Sequence, residues 1–274
     1  MSDIKINIKV VILSILIAIL MYPKTIVFLI NTGKNIYVAK TLSTSTVQND
    51  ETSVNIDKNK VVFMFDDGWG SVYSEGYDIM KKYNFKGTIG VIPSRVSEKE
   101  YMSYKQLSEL YLDRWDLLNH SYSHNENLYS DSDKLLSDFN RAKQWMENRY
   151  IGKSSNVIVM PYGEINPYLI GQFKEAGYRN IRTSDNIITL DKTKIEYYPI
   201  TTISLLTDVS VEKVKNLLSQ MLGQQKTIIF ILHKIGDEDD SFGMTYSKDK
   251  LEQIIQFIHK NSKEFEVITY SQLF

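Results

Sequence analysis

Cysteine is absent from the 274 residues of the chain. This absence excludes disulfide bonds, zinc–thiolate sites and thiol nucleophiles, so any transition metal must be held by histidine and carboxylate. The formal net charge is only −1 and long basic runs are lacking, which argues against a nucleic-acid-binding protein. A hydrophobic content of 43% is enough for one sizeable core, and we expect one catalytic domain in a monomeric protein.

The first thirty residues are more apolar than the rest. Lys5 and Lys9 precede an apolar run over residues 10–21, and a second run covers residues 25–30. The first run alone has the length of a signal-peptide core, whereas both together reach the roughly 20 residues of a membrane span. We expect residues 1–31 to form a hydrophobic helix that anchors the chain in a membrane with its amino terminus inside. A cleaved signal peptide and a buried core helix are the alternatives.

A polar segment follows the apolar runs. Residues 41–53 are rich in hydroxyl and charged side chains and show no hydrophobic period. We therefore assign residues 32–58 to a polar linker and residues 59–274 to the catalytic domain. This order predicts a single-pass protein of the cell membrane with an extracellular catalytic domain, with a secreted protein as the alternative.

Beyond the linker, short apolar runs alternate with helical patterns. This alternation predicts an α/β fold, and seven such strands fit a parallel barrel better than a sandwich. The predicted strands are Val61–Phe65, Gly87–Ile92, Asp116–Asn119, Asn156–Met160, Asn180–Thr183, Thr227–Leu232 and Glu266–Ile268. The predicted helices are Ser71–Tyr83, Tyr104–Leu112, Ser132–Tyr150, Pro167–Ala176, Val211–Leu222 and Ser247–Asn261. In a parallel barrel the residues just past the strand ends converge on one mouth, where chemistry takes place.

Reactive side chains fall at these strand ends. Asp66 and Asp67 follow the first predicted strand, His120 and His124 follow the third, and His233 follows the sixth. One aspartate and two histidines can hold a divalent cation with an open side for water, while a spare carboxylate acts as a base. Each motif alone has a simpler explanation, namely an Asp-Asp-Gly turn and two surface histidines. Together they indicate a metal-dependent hydrolase.

Four motifs in this order resemble the polysaccharide deacetylases that have a NodB-homology domain, also called carbohydrate esterase family 4. They are Phe-Asp-Asp-Gly at 65–68, His-Ser-x-x-His at 120–124, Pro-Tyr-Gly at 161–163 and Leu-His at 232–233. The resemblance covers about residues 60–274. It implies a distorted parallel (β/α)7 barrel of the NodB-homology type, here preceded by the amino-terminal hydrophobic helix.

The resemblance also implies a role for each reactive residue. Asp67, His120 and His124 would bind the metal, Asp66 would be the general base, and His233 would be the general acid. Zinc is the expected ion, although two histidines and an aspartate also accept cobalt, nickel or manganese. The metal would activate water and polarise the acetyl carbonyl, and His233 would protonate the departing amine.

Two further features are candidates for the substrate groove. In the family, the turn Pro161, Tyr162 and Gly163 forms part of the groove, and the backbone N–H of Tyr162 would stabilise the oxyanion. The alternative is a turn that merely closes the barrel. Trp69, directly after the Asp-Asp-Gly, would either stack on a sugar face or pack against the rim.

The sequence departs from the family pattern at two places. Many relatives have an arginine two residues before the Pro-Tyr-Gly proline that orients the base, and Val159 stands here. The family's aspartate near a tryptophan is replaced by a segment without tryptophan, in which Asp185 could orient the acid His233. Some branches that act on poly-N-acetylglucosamine also lack the arginine, which favours a surface polysaccharide as substrate.

The expected function is removal of N-acetyl groups from N-acetylglucosamine units of a cell-wall or exported polysaccharide. One alternative is an O-acetyl polysaccharide esterase, because the same attack by water cleaves esters. The other is a glycan-binding relative with weak or no catalysis.

Overall fold

The computed structural model describes residues 26–31, 36–42, 57–184, 186–190, 200–238 and 240–274. These residues fall into two units that divide between residues 53 and 54. In the first unit, Ile26–Asn31 (β1) and Ile36–Leu42 (β2) pair in antiparallel orientation.

Residues 26–31 of the segment that was predicted as an amino-terminal helix form strand β1 instead. Residues 1–25 lie outside the described part, so the prediction remains untested for them. Strand β2 lies within the segment that was predicted as a linker, whose residues 43–56 are outside the described part. No helix in the described ranges combines the length and the apolar character that a bilayer span requires.

The second unit is built around a sheet of nine strands. They are β3 (Asn59–Phe65), β4 (Thr88–Val91), β5 (Asp116–Asn119), β6 (Ser154–Val159), β7 (Asn180–Arg182), β8 (Ile187–Thr189), β9 (Ile200–Ser204), β10 (Thr227–Leu232) and β13 (Phe265–Val267). Eight of them follow the order β8-β7-β6-β5-β4-β3-β10-β9, and β13 pairs with the first half of β3. All pairs are parallel except β7 with β8. Two short strands, β11 (Lys234–Ile235) and β12 (Thr245–Tyr246), form a separate parallel pair.

The predicted barrel is an open half-barrel. Strand β8 folds back antiparallel on β7 and ends one edge of the sheet, while β9 forms the other edge. Both strands are short and only partly buried. Their sequences therefore lack the long apolar runs that predicted the central strands. The α/β class is confirmed, whereas the described strands form an open sheet in place of the predicted distorted parallel (β/α)7 barrel.

Six α-helices within the described residues connect the strands, and four of them begin at a residue whose side chain accepts a hydrogen bond from a backbone N–H of the first turn. They are α1 (Tyr77–Lys82), α2 (Tyr104–Leu112), α3 (Ser132–Glu147), α4 (Pro167–Glu175), α5 (Val211–Met221) and α6 (Lys248–Lys260). Ser103 and Gln106 form a capping box at α2, and the Asp131 side chain accepts a hydrogen bond from the Lys134 N–H at α3. In α6, residues 251, 254, 255 and 258 are buried, which is the periodicity of a helix that packs one face on a sheet.

Side chains alternate between the two faces of the sheet. In β3, Val61, Phe63 and Phe65 pack with helices on the outer face, whereas Val62 and Met64 belong to a second cluster on the inner face. Because successive residues point to opposite faces, Asp66 continues the inner set. The same parity places His120, Arg182 and His233 on the inner face at the carboxyl ends of β5, β7 and β10.

Candidate metal centre and active site

Asp67, His120 and His124 form one compact cluster. The Asp67 Oδ1 atom lies 3.3 Å from His120 Nε2 and 3.4 Å from His124 Nε2, and one ligand atom from each residue lies within 4.8 Å of the others. Two ligand atoms that are each about 2.0–2.1 Å from a tetrahedral zinc ion lie about 3.4 Å apart. The three side chains that the sequence nominated as ligands therefore fit one small divalent cation.

The His120 ring is held in the orientation that a ligand requires. Its Nδ1 lies 2.8 Å from the Val159 carbonyl oxygen. A carbonyl can only accept, so Nδ1 carries the proton and Nε2 of the neutral ring keeps its lone pair for a metal. A side chain at Gly90 would come within 3.3 Å of the His120 ring, so glycine at this position makes room for the imidazole.

The loop that carries His124 is held by Asp138 of α3. The Asp138 Oδ2 atom accepts hydrogen bonds from the backbone N–H groups of Tyr122 and Ser123 and from the Ser123 hydroxyl, at 3.0–3.1 Å. The His124 N–H donates to Ser121 Oγ at 3.0 Å. These bonds fix a tight loop in which Ser121 and His124 both have positive φ angles, 61° and 50°. The second imidazole is thereby directed back toward Asp67.

The pKa values in the cluster reflect burial and mutual charge. Burial favours a higher pKa for Asp67, but its hydrogen bond to His120 and the positive charges of His120, His233 and His124 bring the pKa below its usual range. Burial and the neighbouring His120 lower the pKa of His124 to about 4. Burial acts to lower the pKa of His120, but Asp67 and Asp66 override it and raise that pKa.

Asp66 pairs with Arg182, a residue for which no role was predicted from the sequence. The Arg182 Nη2 group donates to Asp66 Oδ2, and both side chains are almost fully buried. Arg182 lies opposite Val159 in the β6–β7 register. An arginine thus reaches the candidate base from the strand beside the one that was expected to carry it. The only signal in the sequence was a charged residue near the carboxyl end of a predicted strand.

The second carboxylate oxygen of Asp66 is free. Oδ1 is buried and has no hydrogen-bond partner among the described residues. A buried polar atom without a partner is unusual and requires an explanation. Because Oδ2 is taken by Arg182, Oδ1 is the atom that can accept a proton from a water molecule beside Asp67.

His233 ends β10 on the inner face. It is close enough to Asp67 for its charge to contribute to the lowered pKa of that carboxyl. Its Nδ1 atom is buried and finds no hydrogen-bond partner within the described residues. Asp185, which was predicted to orient this histidine, lies outside the described residues, so this prediction remains untested.

The Pro-Tyr-Gly turn lies beside the metal-ligand loop. The Tyr162 hydroxyl donates to the His124 carbonyl at 3.1 Å, and the two rings are 4.7 Å apart. Gly163 has φ 74°, and a Cβ there would lie 1.6 Å from Ser184 Oγ, so only glycine fits. Tyr162 itself is 54% exposed and adopts φ 58°. The turn therefore lies beside His124, and its predicted role in a substrate groove remains a prediction.

Trp69 is half-buried and packs against two neighbouring side chains. Its indole stacks on the Tyr101 ring at 4.4 Å between centroids, and Lys234 Nζ lies 4.1 Å from the indole centroid. The indole N–H donates to Asp67 Oδ2 at 3.0 Å. Tyr101 and Lys234 therefore occupy part of the ring surface that a sugar would use. The geometry supports the packing alternative, and the predicted sugar contact remains a prediction.

Comparison with known proteins agrees with these motifs. The family model described as polysaccharide deacetylase matches residues 53–181, a range that contains Asp66, Asp67, both histidine ligands and the Pro-Tyr-Gly turn. This part of the chain is similar to the polysaccharide deacetylase family. The resemblance that was drawn from four ordered motifs is thereby confirmed.

Curated relatives with similar sequences extend the comparison. A poly-β-1,6-N-acetyl-D-glucosamine N-deacetylase of Staphylococcus aureus is 26% identical over 136 residues, which cover 44% of this chain and 47% of the relative. The chain spans less than half the length of the curated relatives it matches.

Two solved structures share the fold. The peptidoglycan deacetylase PdaC from Bacillus subtilis has a TM-score of 0.56 at 20% identity, over 80% of this chain and 92% of that one. A family 4 acetyl xylan esterase from Clostridium thermocellum, solved in complex with a cobalt ion, has a TM-score of 0.53 at 18% identity, over 78% and 90%. At these identities the likeness establishes the half-barrel fold that carries the site.

Proposed function

We propose that the chain is a metal-dependent hydrolase that removes N-acetyl groups from N-acetylglucosamine units of a cell-wall or exported polysaccharide. The observation that carries this proposal is the cluster of Asp67, His120 and His124 next to a buried carboxylate, Asp66, whose Oδ1 has no partner. Such a site supplies both a cation and a base, which are the two requirements for hydrolysis by water without a covalent intermediate.

Each side chain has a separate task in this proposal. Asp67, His120 and His124 would hold the ion, with zinc preferred and cobalt, nickel or manganese also compatible with the donor set. When bound, the ion would supply positive charge that polarises the acetyl carbonyl and makes water more acidic. Asp66 accepts the water's proton at Oδ1, while Arg182 keeps Oδ2 in place. His233 donates a proton to the departing nitrogen, which converts a poor leaving group into an amine.

The choice of substrate is supported by relatives. The Staphylococcus aureus relative is named for poly-β-1,6-N-acetyl-D-glucosamine, and PdaC is named for peptidoglycan. Both polymers contain N-acetylglucosamine, so we propose this sugar rather than one particular polymer. The extracellular location proposed from residues 1–31 agrees with such a substrate.

The test is acetyl release from defined glycans by the full-length protein loaded with zinc or cobalt. The substrates are oligomers of β-1,6-linked N-acetylglucosamine, chitooligomers, peptidoglycan fragments and acetylated xylan. Removal of each acetyl group by hydrolysis lowers the mass by about 42 units, which mass spectrometry detects directly. Loss of acetyl from the amide substrates is the expected result. Release from xylan alone would favour the esterase alternative, and no release from any substrate would contradict the proposal.

A further inference from the structure

We infer that Trp69 is a positioning residue for the metal ligand Asp67, which it holds so that only Oδ1 faces the two histidines. The inference rests on the proposed metal site. The indole N–H donates to Asp67 Oδ2 at 3.0 Å, while Oδ1 lies 3.3 and 3.4 Å from the two imidazole Nε2 atoms. The two oxygens of one carboxylate therefore have different partners, one an indole and the other the metal-ligand histidines.

The backbone around Trp69 is anchored on both sides. Asp67 and Gly68 turn the chain with φ angles of 71° and 75°. The Gly70 N–H then donates to the Glu100 carbonyl at 2.7 Å, and the Met102 N–H donates to the Gly68 carbonyl at 2.9 Å. A Cβ at Gly70 would lie 3.0 Å from the Glu100 oxygen, so glycine permits this close approach.

The indole ring is held by contacts with Tyr101 and Lys234. The bridge between the backbones of Trp69 and Tyr101 places their side chains next to each other, and the rings stack with an interplanar angle of 22°. The ammonium of Lys234 also lies over the indole, 4.1 Å from the ring centroid. Lys234 is itself 3.7 Å from Asp240 Oδ2. Rotation of the indole away from Asp67 would break its contacts with Tyr101 and Lys234, so its N–H is held toward the carboxylate.

This arrangement has a consequence for metal binding. A carboxylate that is free to rotate can offer either oxygen or both, whereas one oxygen held by a fixed donor leaves the other preorganised for a metal. Partners that orient metal ligands typically contribute 10- to 100-fold to metal affinity. Trp69 would thus do for Asp67 what the Val159 carbonyl does for His120. Asp67 would then have a hydrogen bond on Oδ2 and His120 one on Nδ1, in each case on the atom that faces away from the ion.

The Trp69→Phe variant removes the hydrogen bond to Asp67 but keeps an aromatic ring, so it tests positioning of the carboxylate separately from packing of the ring. Phenylalanine keeps an aromatic ring between Tyr101 and Lys234 but has no N–H to donate. We expect the full-length variant to bind Zn²⁺ and Co²⁺ about 10- to 100-fold more weakly than the parent protein in calorimetric titrations. The matched control is Trp145→Phe, since Trp145 lies on α3 and contacts Tyr104 and Arg149 instead of the metal ligands. It should leave the affinity unchanged.

The visible absorption of bound Co²⁺ supplies a second readout, because it reports the coordination of the ion rather than activity. We expect the spectrum of Trp69→Phe to differ from that of the parent protein, since Asp67 is free to coordinate through both oxygens. If Trp69→Phe binds both ions as tightly as Trp145→Phe and with the parent spectrum, the positioning role is wrong while the proposed function stands. If the parent protein binds no metal, the proposed function itself is wrong, and the positioning role of Trp69 is wrong with it.

A measurement on the unmodified chain covers the case in which Trp69→Phe does not fold. The chain has three tryptophans, so ¹⁵N-indole labelling gives three N–H signals. Trp115 lies just before the amino end of β5, whereas the metal-ligand residues follow the carboxyl ends of the strands, and Trp145 lies on α3. We expect one indole signal to be protected from solvent exchange and strongly shifted by paramagnetic Co²⁺. Three signals with equally small shifts would overturn the inference.

Discussion

Arg182 on β7 donates a hydrogen bond directly to Asp66 at the end of β3, although three strands, β6, β5 and β4, lie between them in the sheet. In a flat sheet with neighbouring strands about 4.8 Å apart, the two strands would be about 19 Å apart. The contact is possible because the sheet curls, so that side chains on its inner face meet across the half-barrel. The curvature of the fold thus brings the candidate base and its cationic partner together.

Replacement of Arg182 by methionine is the first prediction. It leaves Asp66 as a buried carboxylate without its partner, and loss of one partner of a buried pair typically costs about 3–5 kcal/mol. We expect the free energy of unfolding in urea to fall by that order and deacetylation to fall with it. The double variant Arg182→Met with Asp66→Asn should regain stability but not activity. Equal stability of the single variant and the parent protein would contradict the importance of the pair.

Replacement of Asp66 by asparagine is the second prediction. The three metal-ligand residues are untouched, so zinc content measured by mass spectrometry should be unchanged. The base is lost, and general-base catalysis contributes about 10²- to 10⁴-fold, so kcat should fall within that range. Substantial residual turnover with full metal occupancy would show that another group accepts the proton.

Replacement of His124 by alanine is the third prediction. Two ligands instead of three remain, so metal and activity should be lost together, which dialysis against zinc followed by metal analysis measures. His259→Ala is the matched control, because this histidine is exposed on α6 and contacts the Tyr83 ring instead of the metal cluster. Full zinc occupancy in the His124 variant would mean that the ligand assignment is wrong.

The metal ligands could be predicted from the sequence because their positions depend on local features. Apolar runs such as Val61–Phe65 are buried on both faces and mark the central strands, and reactive side chains follow their carboxyl ends. The role of Arg182 could not be predicted, since its contact with Asp66 joins residues 116 positions apart and depends on how far the sheet curls. The open edges were missed for a related reason, because β8 and β9 are short and partly exposed.

Replacement of Asp138 by alanine is the fourth prediction, and it tests whether the His124 loop is held from α3. One carboxylate oxygen accepts three hydrogen bonds from Tyr122 and Ser123, so its removal leaves two backbone N–H groups without a partner. We expect the loop to loosen and zinc affinity to fall about 10- to 100-fold, as for other groups that support metal ligands. Thermal unfolding should show a loss of about 1–3 kcal/mol.

The control for Asp138→Ala is Asp133→Ala, which removes an exposed carboxylate from the first turn of the same helix. That change weakens a favourable interaction with the helix dipole by a few tenths of a kcal/mol and does not touch the loop. If both variants bound zinc equally well, Asp138 would only stabilise the fold. A loss confined to the Asp138 variant would show that α3 holds His124 in place for the ion, because the two changes differ chiefly in their contacts with residues 122 and 123.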